Sequence, residues 1–207
     1  MRKLIVAAFT SLDGVMQAPG GPEEDTDGGF AHGGWLVPHV DEAFGTAMDE
    51  LFSRPFELLL GRRTYDIFAA HWPRVPADAE DAGMAALFNG VTKHVATHRP
   101  ATLAWQNSRG LGEDVVAAVR ELKRQDGADL LTQGSSELVQ RLLATDMVDE
   151  LRLLVFPVLL GKGKRLFPDA GQAAAFRLDE SVASPNGILI SRYLRQGEVR
   201  TGSFALE

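Results

Sequence analysis

Short apolar runs of strand length alternate with amphipathic stretches of helical length along most of this chain, and that alternation limits the folds open to it. Leu4 to Thr10 is apolar with β-branched members and ends before Asp13-Gly14, as a buried strand entering a turn does. Further strands are predicted at 56–60, 93–97, 103–105, 129–132, 150–155, 176–183 and 188–194. Between them the apolar spacing turns helical. Phe44, Ala47, Met48, Leu51 and Phe52 mark a helix over 41–52, with Asp41 at its start. Further helices are predicted from Thr64 through Ala69, at 84–88, at 113–124 and at 135–144. Apolar strands separated by helices predict a three-layer α/β/α fold around a mostly parallel sheet. The last two strands have only the turn Ser184-Pro185-Asn186-Gly187 between them, which predicts an antiparallel C-terminal edge hairpin. The segment 17–34 is rich in glycine, proline and acidic residues and is predicted to be a mobile surface loop.

A chain of 207 residues with 45% apolar content can bury one substantial core, and a single domain over 1–207 is expected. The formal charge of −7 opposes binding to nucleic acid or anionic lipid. With no cysteine, disulfides, thiolate metal sites and thiol nucleophiles are excluded. The five histidines show no metal-binding spacing, and no GxSxG elbow, GxGxxG or P-loop element occurs. The N-terminus reads as a strand rather than a leader, and no apolar run is long enough to span a membrane.

In open α/β sheets ligands bind beyond the carboxyl ends of the strands. Four strand-end segments are therefore candidates. The first, Ser11 to Met16, carries Asp13, which reads either as an acid at a ligand pocket or as part of a tight turn. The second is Gly61-Arg62-Arg63-Thr64. Its glycine permits close backbone approach, its arginines can fork onto phosphate, and a helix N-terminus follows; a solvated basic turn is the plainer reading. Thr97 and Arg99 end a third strand and could reach a ribose phosphate, although His98 beside them reads as an ordinary surface residue. The fourth, Gly134-Ser135-Ser136-Glu137, can cradle a diphosphate or simply cap its helix. Asp41 is a further candidate acid.

In order, the segments SLDG, LLLGRRTYD, KHVATHR, QGSSELVQRLL and DMVDELRLLVFPVLLGKGKRLF resemble the dihydrofolate-reductase-like superfamily. They look closest to the reductase domain of the bifunctional riboflavin-biosynthesis deaminase–reductase. The resemblance covers about Met1 to Arg195, without the deaminase domain, whose zinc motif needs cysteine. It implies NADPH as hydride donor, a cytoplasmic homodimer and a small heterocyclic or carbonyl substrate. It implies that Gly61, Arg62, Arg63 and Thr64 meet the 2′-phosphate and diphosphate, and that Thr97 and Arg99 lie near the adenosine phosphate. Gly134, Ser135, Ser136 and Glu137 would open the diphosphate-binding helix, with Phe9, Val15 and Met16 bordering the nicotinamide. Asp13, then Asp41, are the expected proton donors. Where true dihydrofolate reductases carry a substrate-binding carboxylate, this chain has Gly45. Dihydrofolate reduction and a non-catalytic nucleotide-binding module stand as alternatives.

Overall fold

The computed structural model describes residues 1–167 and 169–205. One sheet carries β1 (Leu4–Ser11), β2 (Phe56–Gly61), β3 (Lys93–Ala96), β4 (Ser108–Gly110), β5 (Asp129–Gln133), β6 (Glu150–Phe156), β7 (Ala175–Ala183) and β8 (Leu189–Gly197). Its spatial order is β4-β3-β2-β5-β1-β6-β8-β7. The first six strands in that order run parallel, and β8 and β7 add antiparallel at the edge. This is the expected mostly parallel sheet with its C-terminal hairpin.

Alternation along the central strands sorts side chains to two faces. Leu4, Val6 and Ala8 of β1 join Leu59 and Leu130 on one face, where α4 (Val115–Arg124) and α5 (Ser136–Ala144) press Val119, Val139 and Leu142 against them. Ala7, Leu58, Leu60 and Leu131 point the other way, onto α1 (Glu42–Phe52), α2 (Arg62–His71) and α3 (Ala82–Gly90). Each such leucine is fully buried and contributes about 1.5–3 kcal/mol of transfer free energy, so three layers follow from the two apolar faces.

Two expectations for local structure do not hold. Residues 103–105 form no strand. Leu103 and Trp105 pack with the α2–α3 side of the core instead, and the Trp105 amide donates to the Tyr65 hydroxyl at 2.8 Å. The edge strand is Ser108–Gly110, which carries no apolar signal and pairs with β3 through its backbone. The segment 17–34 is not an unpacked surface loop: Ala18 and Phe30 within it, and Trp35 and Leu36 just beyond it, are buried. The nearly buried Gln17 amide donates to the carbonyls of Asp25 and Asp27 at 3.0 Å each, and Trp35 Nε1 donates to the Gln17 carbonyl at 2.8 Å.

At the opposite end of the strands, Asp149 ties three elements together. Its carboxylate accepts from the Leu4 amide at 2.7 Å and from Lys123 Nζ at 2.5 Å, and its carbonyl accepts from the Arg195 amide at 2.9 Å. Hydrogen bonds to charged groups contribute more than neutral ones. Asp149→Ala is expected to lower unfolding free energy by about 1.5–3 kcal/mol in a urea titration, without change in the denaturant slope.

Candidate functional site

The chain leaves β1 toward the α1 face and leaves β5 toward the α5 face, and the two strands are neighbours. That reversal opens a crevice at their carboxyl ends, where ligands of open α/β sheets bind. Two strand–helix junctions meet there. Ser135 Oγ accepts from the Gly61 amide at 2.8 Å and donates to Thr64 Oγ1 at 2.6 Å. The β2–α2 and β5–α5 turns are thereby joined by one hydroxyl. A Cβ on Gly61 would lie 2.8 Å from Ser135 Oγ, so only glycine permits this approach without displacement. Gly134, at φ +84°, and Ser135, at φ 62°, turn the chain into α5 through left-handed conformations.

Because Ser135 spends its hydroxyl across the gap, it makes no side-chain cap on α5, and Gly61 has none to offer α2. Both helices therefore present uncapped N-termini on one rim. Such ends attract anions through their unpaired amides and the positive end of the helix dipole. Ser136 and Glu137 begin the first turn of α5, half-buried and exposed respectively.

Arg62 links this rim to the end of β3. Nη1 donates to Thr102 Oγ1 at 2.6 Å, to the Arg99 carbonyl at 3.3 Å and to Thr97 Oγ1 at 3.4 Å, while Nε forks onto Asp66 at 2.9 Å. The hydrogen bond to Asp66 raises the guanidinium pKa above its usual value. Arg62 thus connects the β2–α2 turn, which Ser135 bridges, with Thr97 and the Arg99 carbonyl at the end of β3. A groove lined by Asp66, Thr102, Ala104, Trp105 and Gln106 opens beside Arg62. Arg63 points elsewhere. It pairs with Asp25 at 2.7 Å and Asp27 at 2.5 Å, which explains an arginine pair that solubility does not.

Asp13 is well occupied. Oδ1 accepts from Ser11 Oγ at 2.6 Å and the Leu160 amide at 3.1 Å, and Oδ2 accepts from the Gly161 amide at 2.8 Å. The Ser11 hydroxyl is the largest influence; with the two amides it outweighs partial desolvation and lowers the pKa from 3.8 to about 2. A carboxylate of that kind is ionised at neutral pH and anchors the loop after β6. It is a weak proton donor. Asp41 caps α1 by accepting from the Phe44 amide at 3.0 Å, and accepts from the Asn186 amide at 3.0 Å. Desolvation would raise its pKa, but these amides prevail and hold it below the usual range.

Phe9 stands half-buried at the end of β1, 5.7 Å from the Phe44 ring and 6.2 Å from that of Phe156. Val15 is fully buried and Met16 nearly so. Val15 packs beneath this aromatic corner, whereas Met16 packs into the α4–α5 side of the core. Residues that strand-end reasoning passed over are Lys164 and Arg165. Arg165 Nη1 donates to the Asp13 carbonyl at 2.6 Å, and Lys164 Nζ pairs with Asp25 at 2.6 Å. Their only sequence signal was the basic run Lys162-Gly163-Lys164-Arg165 after β6.

The sequence profile described as the RibD C-terminal domain matches residues 2–190. The chain belongs to that family. Two Bacillus subtilis (strain 168) proteins of uncharacterised function, YyaP and YwjB, are similar to it at 22% and 24% identity, over 91% and 86% of this chain and 92% and 89% of theirs. Among solved structures, a candidate riboflavin biosynthesis protein of Shewanella sp. PV-4 superposes with a TM-score of 0.63 at 21% identity, covering 94% of this chain and 99% of that one. A pyrimidine reductase-like protein of Corynebacterium diphtheriae gives 0.58 at 14% identity, covering 97% and 93%. These likenesses bear out the dihydrofolate-reductase-like fold and the RibD C-terminal membership read from the sequence.

The depressed Asp13 pKa stabilises the fold above the ordinary carboxylate range, and that contribution fades as pH falls from about 4 toward 2. Asp13→Asn is expected to lower Tm at pH 7, with the deficit shrinking over that acidic window. A deficit of constant size in melts from pH 7 to pH 3 would mean that the carboxylate charge is not what holds the loop.

Proposed function

We propose that this RibD C-terminal family member is a reductase that takes hydride from NADPH and acts on a small heterocyclic or carbonyl substrate. One observation carries the reading: the Ser135 bridge brings the uncapped N-termini of α2 and α5 to the same rim as Arg62. An adenine dinucleotide with three phosphates needs such a convergence. The residues fit it chemically, since Gly61 and Gly134 add no side chain to block the approach of a diphosphate.

In this reading the amides of Ser135, Ser136 and Glu137, together with Thr64, hold the diphosphate. Arg62 with Thr97 and Arg99 receives the 2′-phosphate. Arg62 Nη2 makes no hydrogen bond among the described residues, and its neighbouring donors already point along the rim. The nicotinamide would lie toward Phe9, with Val15 and Met16 bordering it from the turn after β1. When bound, the cofactor supplies the hydride; the protein positions its ring and excludes water. With Asp13 and Asp41 both committed to hydrogen bonds, the proton comes from water held at the rim rather than from either acid. The chain acts as one reductase unit, working as a cytoplasmic homodimer.

Folate reduction is disfavoured at the start of α1, where Phe44 stands against Phe9, Gly45 replaces the substrate-binding carboxylate, and Asp41 is committed to the helix cap and the hairpin turn. A nucleotide-binding module without turnover is the second reading, favoured by the engagement of both acids. NADPH oxidation followed at 340 nm with pyrimidine and carbonyl substrates separates the two, because a pure binder shows no turnover with any of them.

Arg62→Gln is expected to raise the Kd for NADPH by about 10- to 100-fold, as loss of a charge-assisted phosphate contact does, and to leave NADH binding nearly unchanged. Fluorescence titration with the two cofactors measures the difference. Equal weakening of both would remove Arg62 from the phosphate site.

A further inference from the structure

Asp25, Asp27, Arg63 and Lys164 form a closed ring of alternating charge. Asp25 pairs with Arg63 at 2.7 Å and with Lys164 at 2.6 Å; Asp27 pairs with the same two bases at 2.5 and 3.0 Å. Asp25 is 8% exposed, so its charge is largely withdrawn from water and depends on both partners. The two bases come from opposite sides of the crevice. Arg63 follows β2 and Lys164 follows β6, and β5 and β1 lie between those strands. The folded 17–34 segment thus carries two carboxylates between the two flanks of the crevice, where they occupy both bases.

The wall beneath is aromatic. Phe9 and Phe44 are half-exposed there, and Phe156 and Trp35 pack edge-on behind them, with ring centroids 5.4 Å apart. Asp41, which caps α1 ahead of Phe44, is committed to the helix cap and the hairpin turn. A surface of this kind gains from a flat ring and gives an ionic group no partner.

We infer that the substrate is an uncharged planar ring compound without a phosphate ester, and that Asp25 and Asp27 set this preference by keeping Arg63 and Lys164 occupied. The inference rests on the reductase reading and narrows it. Discrimination against the ester arises because Arg63 and Lys164 are each held by two carboxylates, where Arg62 faces Asp66 alone, and that surplus of negative charge repels the newcomer.

The test compares a ribosylaminopyrimidine with its own 5′-phosphate on the NADPH-loaded protein, by calorimetric binding and by NADPH oxidation. The parent compound is expected to bind at least about tenfold more tightly than the ester, the scale of one charge-assisted contact. In the double variant Asp25→Asn, Asp27→Asn that preference should fall to parity or reverse. If the double variant does not fold, Asp27→Asn alone, at the more exposed carboxylate, should move the ratio the same way. Equal or tighter binding of the ester by the wild-type protein overturns the inference, as does binding of neither compound. An unchanged ratio in the variants overturns the role given to the two acids. Loss of NADPH binding itself would strike the reductase reading instead, and the same titration reports it separately.

Discussion

A single hydroxyl holds the two halves of the site in register. Ser135 reaches from the start of α5 to the Gly61 amide and to Thr64 at the start of α2. The pairing of β2 with β5 brings the two helix ends together, and the bridge ties their first turns to each other. With it, their unpaired amides face a common space. The bridge in turn requires a bare Cα at Gly61 and left-handed backbone at Gly134 and Ser135, so local strain at this turn is compensated by a contact 74 residues away in sequence.

The sheet below makes this precision affordable. Fully buried leucines on both faces fix β1, β2 and β5, and the parallel ladder brings their carboxyl ends to one edge. Loops then vary above a rigid base. The β6–β7 connection hangs on Asp13, and the hairpin turn hangs on Asp41. Both acids therefore serve the shape of the rim. Acids placed at strand and helix ends look chemically poised in a sequence, yet amide hydrogen bonds from distant segments can consume them.

That explains which parts of the protein were legible beforehand. Apolar runs reported β1, β2, β5 and β6 because their side chains face apolar layers, and the Ser184–Gly187 turn reported the hairpin, whose β7 side chains are mostly exposed. Apolar patterning was silent on Ser108–Gly110, an edge strand held by backbone pairing alone, and it misread Leu103 to Trp105, whose apolar side chains pack without a ladder. Local pattern also misjudged the 17–34 segment. Its glycines and acids suggest an unpacked loop, but its order comes from Phe30 and the neighbouring Trp35 in the core and from ion pairs to residues 38 and 139 positions away. Contacts at that separation leave no periodic trace.

The candidate site follows the same division. Gly61, Arg62, Thr64, Thr97 and Gly134 to Ser136 could be grouped as candidates because each ends a strand or opens a helix, and topology gathers such positions on one rim. The partition of charge above that rim could not be found so. Arg62 and Arg63 are adjacent in sequence and alike in type, yet one lies along the edge toward Thr97 and Thr102 and the other is held by the loop acids. Successive residues at a helix start diverge by about 100° around the axis. Two neighbouring arginines are therefore aimed at different sides of the crevice, and the fold, rather than the motif, decides which of them lies along the rim and which the loop acids hold.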